Sequence, residues 1–256
     1  MIFDPAARAN AEDNIRKTIG QLLGGAAVLT GASLAYVQFK AQQKASHELL
    51  ISNQVSKGFE QLGSDKPFIR LGGIYALEGV MNTSAQYHQP VLEALSAFVR
   101  DGTRTDMSVG PPTTDIQAAL TVIARRKVIP PESQVFLGWC NIPRSFLVYA
   151  NLRSANLLGA NLTEAQLDGV DLSYASLIGT NLTQATMGGA NLSHAFLSDA
   201  HLNSAYLKDV DLTGAEGLTQ TQLDQACGTN VKLDPGLTIK PCLSWVPSLP
   251  DADHDR

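Results

Sequence analysis

The sequence predicts a mainly β fold: a four-sided β-helix of about four coils over residues 130–216, preceded by an α-helical hairpin module over 40–129 and a transmembrane helix over 18–39. Three observations predict it. From Val135 the chain keeps a period of five residues for sixteen pentads without slippage. Before that, apolar residues recur at helical spacing in three separate stretches. Nearer the N-terminus, the 22 residues from Thr18 to Phe39 contain no Asp, Glu, Lys, Arg or His.

As a helix, that uncharged stretch extends about 33 Å, enough to cross the hydrocarbon core of a bilayer. Arg16 and Lys17 flank it on one side and Lys40 and Lys44 on the other, while Tyr36 and Phe39 suit the interface. This near-symmetric charge leaves the orientation open. A cleavable signal peptide is a competing reading, with Ser33-Leu34-Ala35 as the cleavage site. Against it, the leader over residues 1–17 is long and carries Asp4, Glu12 and Asp13. Gly20, Gly24, Ala27, Gly31 and Ala35 fall near one helical stripe that would admit a second helix, although glycine is common in membrane helices anyway.

A polar helical stretch from about Lys40 to Leu62 leads to Gly63-Ser64-Asp65-Lys66-Pro67, which stops one helix and starts the next. The spacing of Phe68, Leu71, Ile74, Leu77 and Met81 predicts an amphipathic helix, as does that of Val91, Leu92, Leu95, Phe98 and Val99, and again that of Ile116, Leu120 and Ile123. Asn82-Thr83-Ser84, and Met107 to Thr114 with Pro111 and Pro112, let neighbouring helices fold back on one another. Such a module would cover the open end of the repeat, whose edge would otherwise be unpaired. Pro130-Pro131 ends it.

Within each pentad of the repeat, let i be the central residue. Leu152, Leu157, Leu162, Leu172, Leu182, Met187, Leu192, Leu202 and Leu212 occupy i, and Ala150, Ala160 and Ala190 occupy i−2. Every i is large and apolar, and every i−2 is small or β-branched, which marks both as core. A period of five fits neither a helix nor a strand, so the chain must turn every five residues. With one pentad per side, twenty residues close a coil, so sixteen pentads make four coils, which stacked at about 4.8 Å give a height of roughly 19 Å. Gly159, Gly169, Gly179 and Gly189 recur at i+2, where a corner needs glycine's freedom. At i−1, Asn141, Asn161, Asn181 and His201 form one vertical set and Asn151, Asp171, Asn191 and Asp211 another, a spacing that predicts amide ladders. Cys140, at i−2, reads as core. Beyond the repeat, Thr219 and Gln222 form a capping box for a short capping helix over 217–228, and Gly228 closes it. Residues 229–256, with Pro241, Pro247 and Pro250, read as an extended or disordered tail.

The net charge of −5 is no nucleic-acid footprint. Cys140, Cys227 and Cys242 show no metal-binding spacing and read as reduced thiols of a cytosol-facing protein. His47, His88, His194 and His254 are scattered, and no nucleotide, hydrolase or zinc motif is present. No catalytic residue, cofactor or metal is assigned, because a stack filled with Leu and Ala leaves no cleft that excludes water. The expected activity is binding to a protein partner that the sequence does not identify, with membrane attachment through residues 18–39 and self-association through that helix or the repeat left open. Tyr174, Phe196 and Tyr206 are the candidate contact residues. Trp139 and Tyr149 are expected to pack beneath the helical module.

The pattern Ala150-Asn151-Leu152, Ala160-Asn161-Leu162 and Ala190-Asn191-Leu192 resembles the A(D/N)LXX signature of the bacterial pentapeptide-repeat family. Ala11–Gly25, Thr114–Arg126 and Gly217–Gly228 further resemble a membrane-anchored subset of it. That resemblance implies a right-handed quadrilateral β-helix behind a single inner-membrane anchor, a cytoplasmic C-terminal part and no assigned catalytic residues. Some members of the family inhibit DNA gyrase as acidic duplex mimics, so an inhibitor or protector of a topoisomerase is the alternative function. Residues 135–214 carry six acids against three bases, a weak charge for that role.

Overall fold

The computed structural model describes residues 5–104, 109–127 and 134–242. Pro130-Pro131, Met107, the first four residues of the leader, His254 and the rest of the chain beyond Cys242 lie outside the described residues. Two compact units divide the chain, Met1–Asn53 and Gln54–Arg256.

The first unit is the N-terminal part of one long helix, α1 (Pro5–Leu62). Ile19, Leu22, Leu23, Val28, Leu29 and Leu34 are all exposed on it, and nothing lies near the glycines at 20, 24, 25 and 31. The helix is long and apolar enough to cross a membrane, and its place near the N-terminus equally suits a signal sequence.

The second unit begins with the last turns of α1 and continues through α2 (Pro67–Thr83), α3 (Ala85–Thr103) and α4 (Thr114–Ala124). Ile74, Leu77, Val91, Leu92, Leu95, Leu120 and Ile123 form the core among these helices. The α1–α2 crossing is tight because both backbones present glycine: a Cβ on Gly73 would sit 2.8 Å from the Gly58 carbonyl oxygen. Arg70 on α2 donates to the buried Asp115 on α4 at 2.6 Å, and the Thr113 hydroxyl donates to the same carboxylate. Burial alone would raise the Asp115 pKa, but the Thr113 and Arg70 hydrogen bonds hold it below the usual value.

A mainly β class is not what the chain adopts. Among the described residues the regular elements are five α-helices and no strand, and β pairing is confined to isolated parallel bridges. The reason lies in the length of each side. Leu157 O accepts from Ala160 N–H, closing a four-residue turn, and this repeats in successive pentads. The turn takes i to i+3, so each pentad leaves only its i−1 residue bridged, as in Asn161↔Asn181↔His201. One bridged residue between two turns cannot build a ladder of consecutive pairs.

What repeats is therefore a coil of turns stacked at twenty-residue spacing, and its interior is dry. Leu152, Leu157, Leu162, Leu172, Leu182, Met187, Leu192, Leu202 and Leu212 are buried, as are Ala150, Ala160 and Ala190. Residue i+2 has positive φ at every corner, in non-glycine residues such as Glu164 (58°) and Asp199 (57°) as well as in Gly179 (61°). A left-handed residue costs about 1–2 kcal/mol when it is not glycine, and hydrogen bonds to the next layer hold it in place, as Glu164 N–H to Thr183 O does. The Asn and Asp side chains at i−1 mostly serve their own turn. Asn161, Asp171, Asn181, Asn191 and Asp211 each accept the backbone N–H two residues on, the Asx geometry of tight turns. Rungs between layers are fewer, Asn161 to Asn141 and Asn191 to Asp171.

Both ends of the stack are closed group by group. At the first coil, Arg100 on α3 donates to Phe136 O, and the Gln117 amide on α4 pairs with both N–H and C=O of Phe146. Ala124 O accepts from Asn151 N–H, and Arg126 donates to Asn151 O. At the far end, α5 (Gln220–Gln225) starts from the Thr219–Gln222 capping box, and Gln222 donates to Leu197 O and Ala200 O. The helix stops at Gln225, so Gly228 does not end it and instead donates its N–H to Lys240 O.

Candidate interaction surface

Each pentad presents i−1, i+1 and i+2 outward, which gives the stack four sides of different chemistry. The side built on Leu137, Leu157, Leu177 and Leu197 carries an apolar row through all four coils, whereas the exposed Phe146 and Tyr149 of the opposite side lie in the first coil. Phe136, Ile178 and Phe196 stand between 37% and 39% exposed along it, Leu158 is half-buried, and Trp139 at its corner is 66% exposed. The lower end of this row opens into a groove of about 790 Å³, walled by Phe59 of α1 and by Pro90, Ala94 and Ala97 of α3 against Phe136, Trp139 and Leu158. Arg100 and Glu93 stand at its polar margin.

The three candidate contact residues do not form one patch. Phe196 belongs to the apolar side. Tyr174 sits at the adjoining corner, stacked on His194 with ring centroids 5.0 Å apart, and the Arg153 guanidinium lies 4.4 Å from its ring centre. Tyr206 is half-buried on the side opposite Phe196, where it bridges Thr186. Trp139 and Tyr149 are not covered by the helical module: they are 66% and 82% exposed, and their rings lie over Gly159 and Gly169 of the next coil. Spacing had no means of showing the Arg153–Tyr174–His194 column, because it joins i+1 and i+2 positions of three successive coils.

The thiols divide. Cys140 is buried, and burial pushes its pKa up to about 11, which leaves it a core thiol with no nucleophilic character at neutral pH. Cys227 and Cys242 are not reduced thiols but a disulfide, with Cα atoms 4.9 Å apart. Their sequence separation of 15 matches no motif, and only the fold-back of the chain after Val231 brings them together. Among the described residues no group of three or more His, Cys, Asp or Glu could hold a metal ion.

The family model for pentapeptide repeats matches residues 147–184 and 180–216, which make up most of the stack. The chain is a pentapeptide-repeat protein. Among solved structures, this pentapeptide-repeat protein is similar to HetL of Nostoc sp. strain PCC 7120, described as involved in heterocyst differentiation regulation, at 32% identity over 36% of this chain and 37% of HetL, with a TM-score of 0.29. It is similar to Rfr23 of Cyanothece 51142 at 32% identity over 37% of this chain and 65% of that one, TM-score 0.24. The plasmid-mediated fluoroquinolone resistance protein QnrB1 is 22% identical over 40% of this chain and 59% of its own, TM-score 0.27. The match spans little more than a third of HetL and under two thirds of Rfr23. Comparison with curated proteins finds no match.

Proposed function

We propose that this pentapeptide-repeat protein is a non-catalytic, single-pass membrane-anchored scaffold that binds a protein partner through the apolar side of its stack. The observation that carries the reading is the row Phe136, Leu158, Ile178 and Phe196, continuous with the groove at Trp139. Exposed apolar surface gathered on one side is what protein interfaces bury, and aromatic residues dominate their energetics. The non-catalytic part rests on the stack interior, which Leu and Ala fill without a cavity for substrate.

The anchor is residues 18–39 of α1, whose apolar side chains are exposed and need lipid around them. The resemblance implies a cytoplasmic C-terminal part, but the Cys227–Cys242 disulfide supports the opposite side, since structural disulfides persist in oxidising compartments. An anchor with its N-terminus inside and a cleaved signal peptide both deliver residues 40–256 there. A membrane-impermeant thiol reagent applied to reduced, intact spheroplasts is expected to label Cys242; labelling only after lysis would reverse the orientation. For the partner, a photo-crosslinking residue at Ile178 is expected to trap a discrete adduct in membranes that the same residue at Lys208, on the opposite side, does not. Equal adducts from both positions, or none from either, would remove the scaffold reading.

A further inference from the structure

We propose that the Cys227–Cys242 disulfide is a redox latch that closes the far end of the stack with the strap 237–242. Beyond the fourth coil the chain starts a partial fifth layer. Cys227 bridges Tyr206, exchanging Cys227 N–H to Ala205 O and Leu207 N–H to Cys227 O, and Lys232 bridges Asp211. The helix α5 stands in for one side of this layer, and the strap then crosses its outer edge. Gly228 N–H donates to Lys240 O at 2.9 Å, the Gln220 amide pairs with N–H and C=O of Thr238, and Lys240 Nζ donates to Asp224 O.

Apart from the bond from buried Gly228, these contacts are solvent-exposed, and exposed polar contacts hold a chain weakly. Leu237 and Ile239 add only half-buried apolar contact. The disulfide is the one covalent tether, and it closes a loop over 15 residues. Both cysteines are half-buried rather than buried, so a small dithiol can reach them. A dithiol reductant transfers two electrons and two protons: the Sγ–Sγ bond breaks, Cys227 and Cys242 become thiols, and the reductant becomes a disulfide. The strap then leaves the edge, and Gly228 loses its acceptor. Gly228 is a sensitive reporter because it is buried against the layer below, where a Cβ would lie 2.7 Å from Leu207 O. The chain is synthesised reduced, so its far end is completed only when an oxidant forms the bond.

The test is amide hydrogen exchange resolved by residue, on the full chain in detergent micelles, oxidised, treated with dithiothreitol, and as Cys242→Ser. Reduction and the variant are each expected to speed exchange at Gly228 by about a hundredfold, as loop-closure entropy for a loop of this length implies. Leu182, in the middle of the stack, is expected to keep its protection, and reoxidation is expected to restore Gly228 in the natural chain but not in the variant. Unchanged exchange at Gly228 after reduction would show that the strap holds without the bond, and equal loss at Leu182 would show general unfolding; either overturns the latch. So would two free thiols in the protein isolated without reductant.

Discussion

Leu182→Ala tests whether the middle of the stack is a rigid, filled column. Leu182 is fully buried between Leu162 and Leu202. Removing its outer carbons forfeits about 2–2.5 kcal/mol of transfer free energy at about 0.8 kcal/mol per methylene. The cavity adds to this, because the layers on either side cannot close in. Leu162 N–H is bound to Asn181 O and Leu182 N–H to His201 O, so the spacing of the column is fixed by the backbone. The total should reach the upper part of the observed range for such substitutions, about 4–5 kcal/mol. Leu212, in the last full coil, has the partly buried Val231 and Leu233 near that end of the core, and these can shift inward. There the same change should cost about 2–3 kcal/mol. Urea unfolding of the full chain in mild detergent, followed by circular dichroism, compares the two variants. An equal or smaller loss at Leu182 than at Leu212 would refute the argument that the middle layers cannot relax.

Three further outcomes are expected. Asp115→Asn breaks the pair with Arg70 and should lower stability by about 2–4 kcal/mol, less than a fully enclosed pair because Arg70 is partly exposed; an unchanged unfolding midpoint would mean that the pair contributes nothing. Gly159→Ala places a Cβ 2.4 Å from the Trp139 ring and forces the indole off the stack, which should change the emission of Trp139 in a Trp245→Phe background, whereas Gly179→Ala, facing open space, should leave it unaltered. The Lys232 ammonium and the Thr213 hydroxyl lower the Asp211 pKa from 3.8 to about 2, so this carboxylate contributes stability above 3.8 and loses it as pH falls through about 2. Solvent screening keeps that contribution near or below about 1 kcal/mol, and the gap between the natural chain and Asp211→Asn should be present at pH 6 and absent at pH 2, within calorimetric error.

The sequence made some of this legible and hid the rest for physical reasons. The five-residue period carried the repeat, because i and i−2 must be apolar whenever the chain turns every pentad, and the uncharged run before Lys40 carried the long N-terminal helix. The class did not follow, since a period reports where the chain turns and not how many residues between turns pair: one bridged residue per side is too few for a strand. Glycines at i+2 pointed to the corner, but Trp139, Glu164 and Asp199 adopt the same left-handed geometry, so the need lay in the backbone and not in the residue type. The disulfide was invisible because it depends on the strap's return over Gly228. The groove was missed because it joins Phe59 and Pro90 to Trp139, three residues from segments with no common period. Gln117, which closes the first coil, sits in α4 as an ordinary polar helical residue, and nothing local distinguishes it.

Group-by-group closure of the two ends fixes a rule for how the chain can change length. Arg100, Gln117 and Arg126 each meet a particular side of the first coil, and Gln222 meets a particular side of the last. A duplicated block of twenty residues within the stack keeps every such meeting in phase. An added or deleted block of five before Leu197 leaves α5 on its own coil, where Gln222 still meets Leu197 O and Ala200 O, but turns that end by a quarter turn about the stack relative to the first coil. Growth by whole circuits thus keeps the two ends facing the same way, while growth by single repeats turns one against the other.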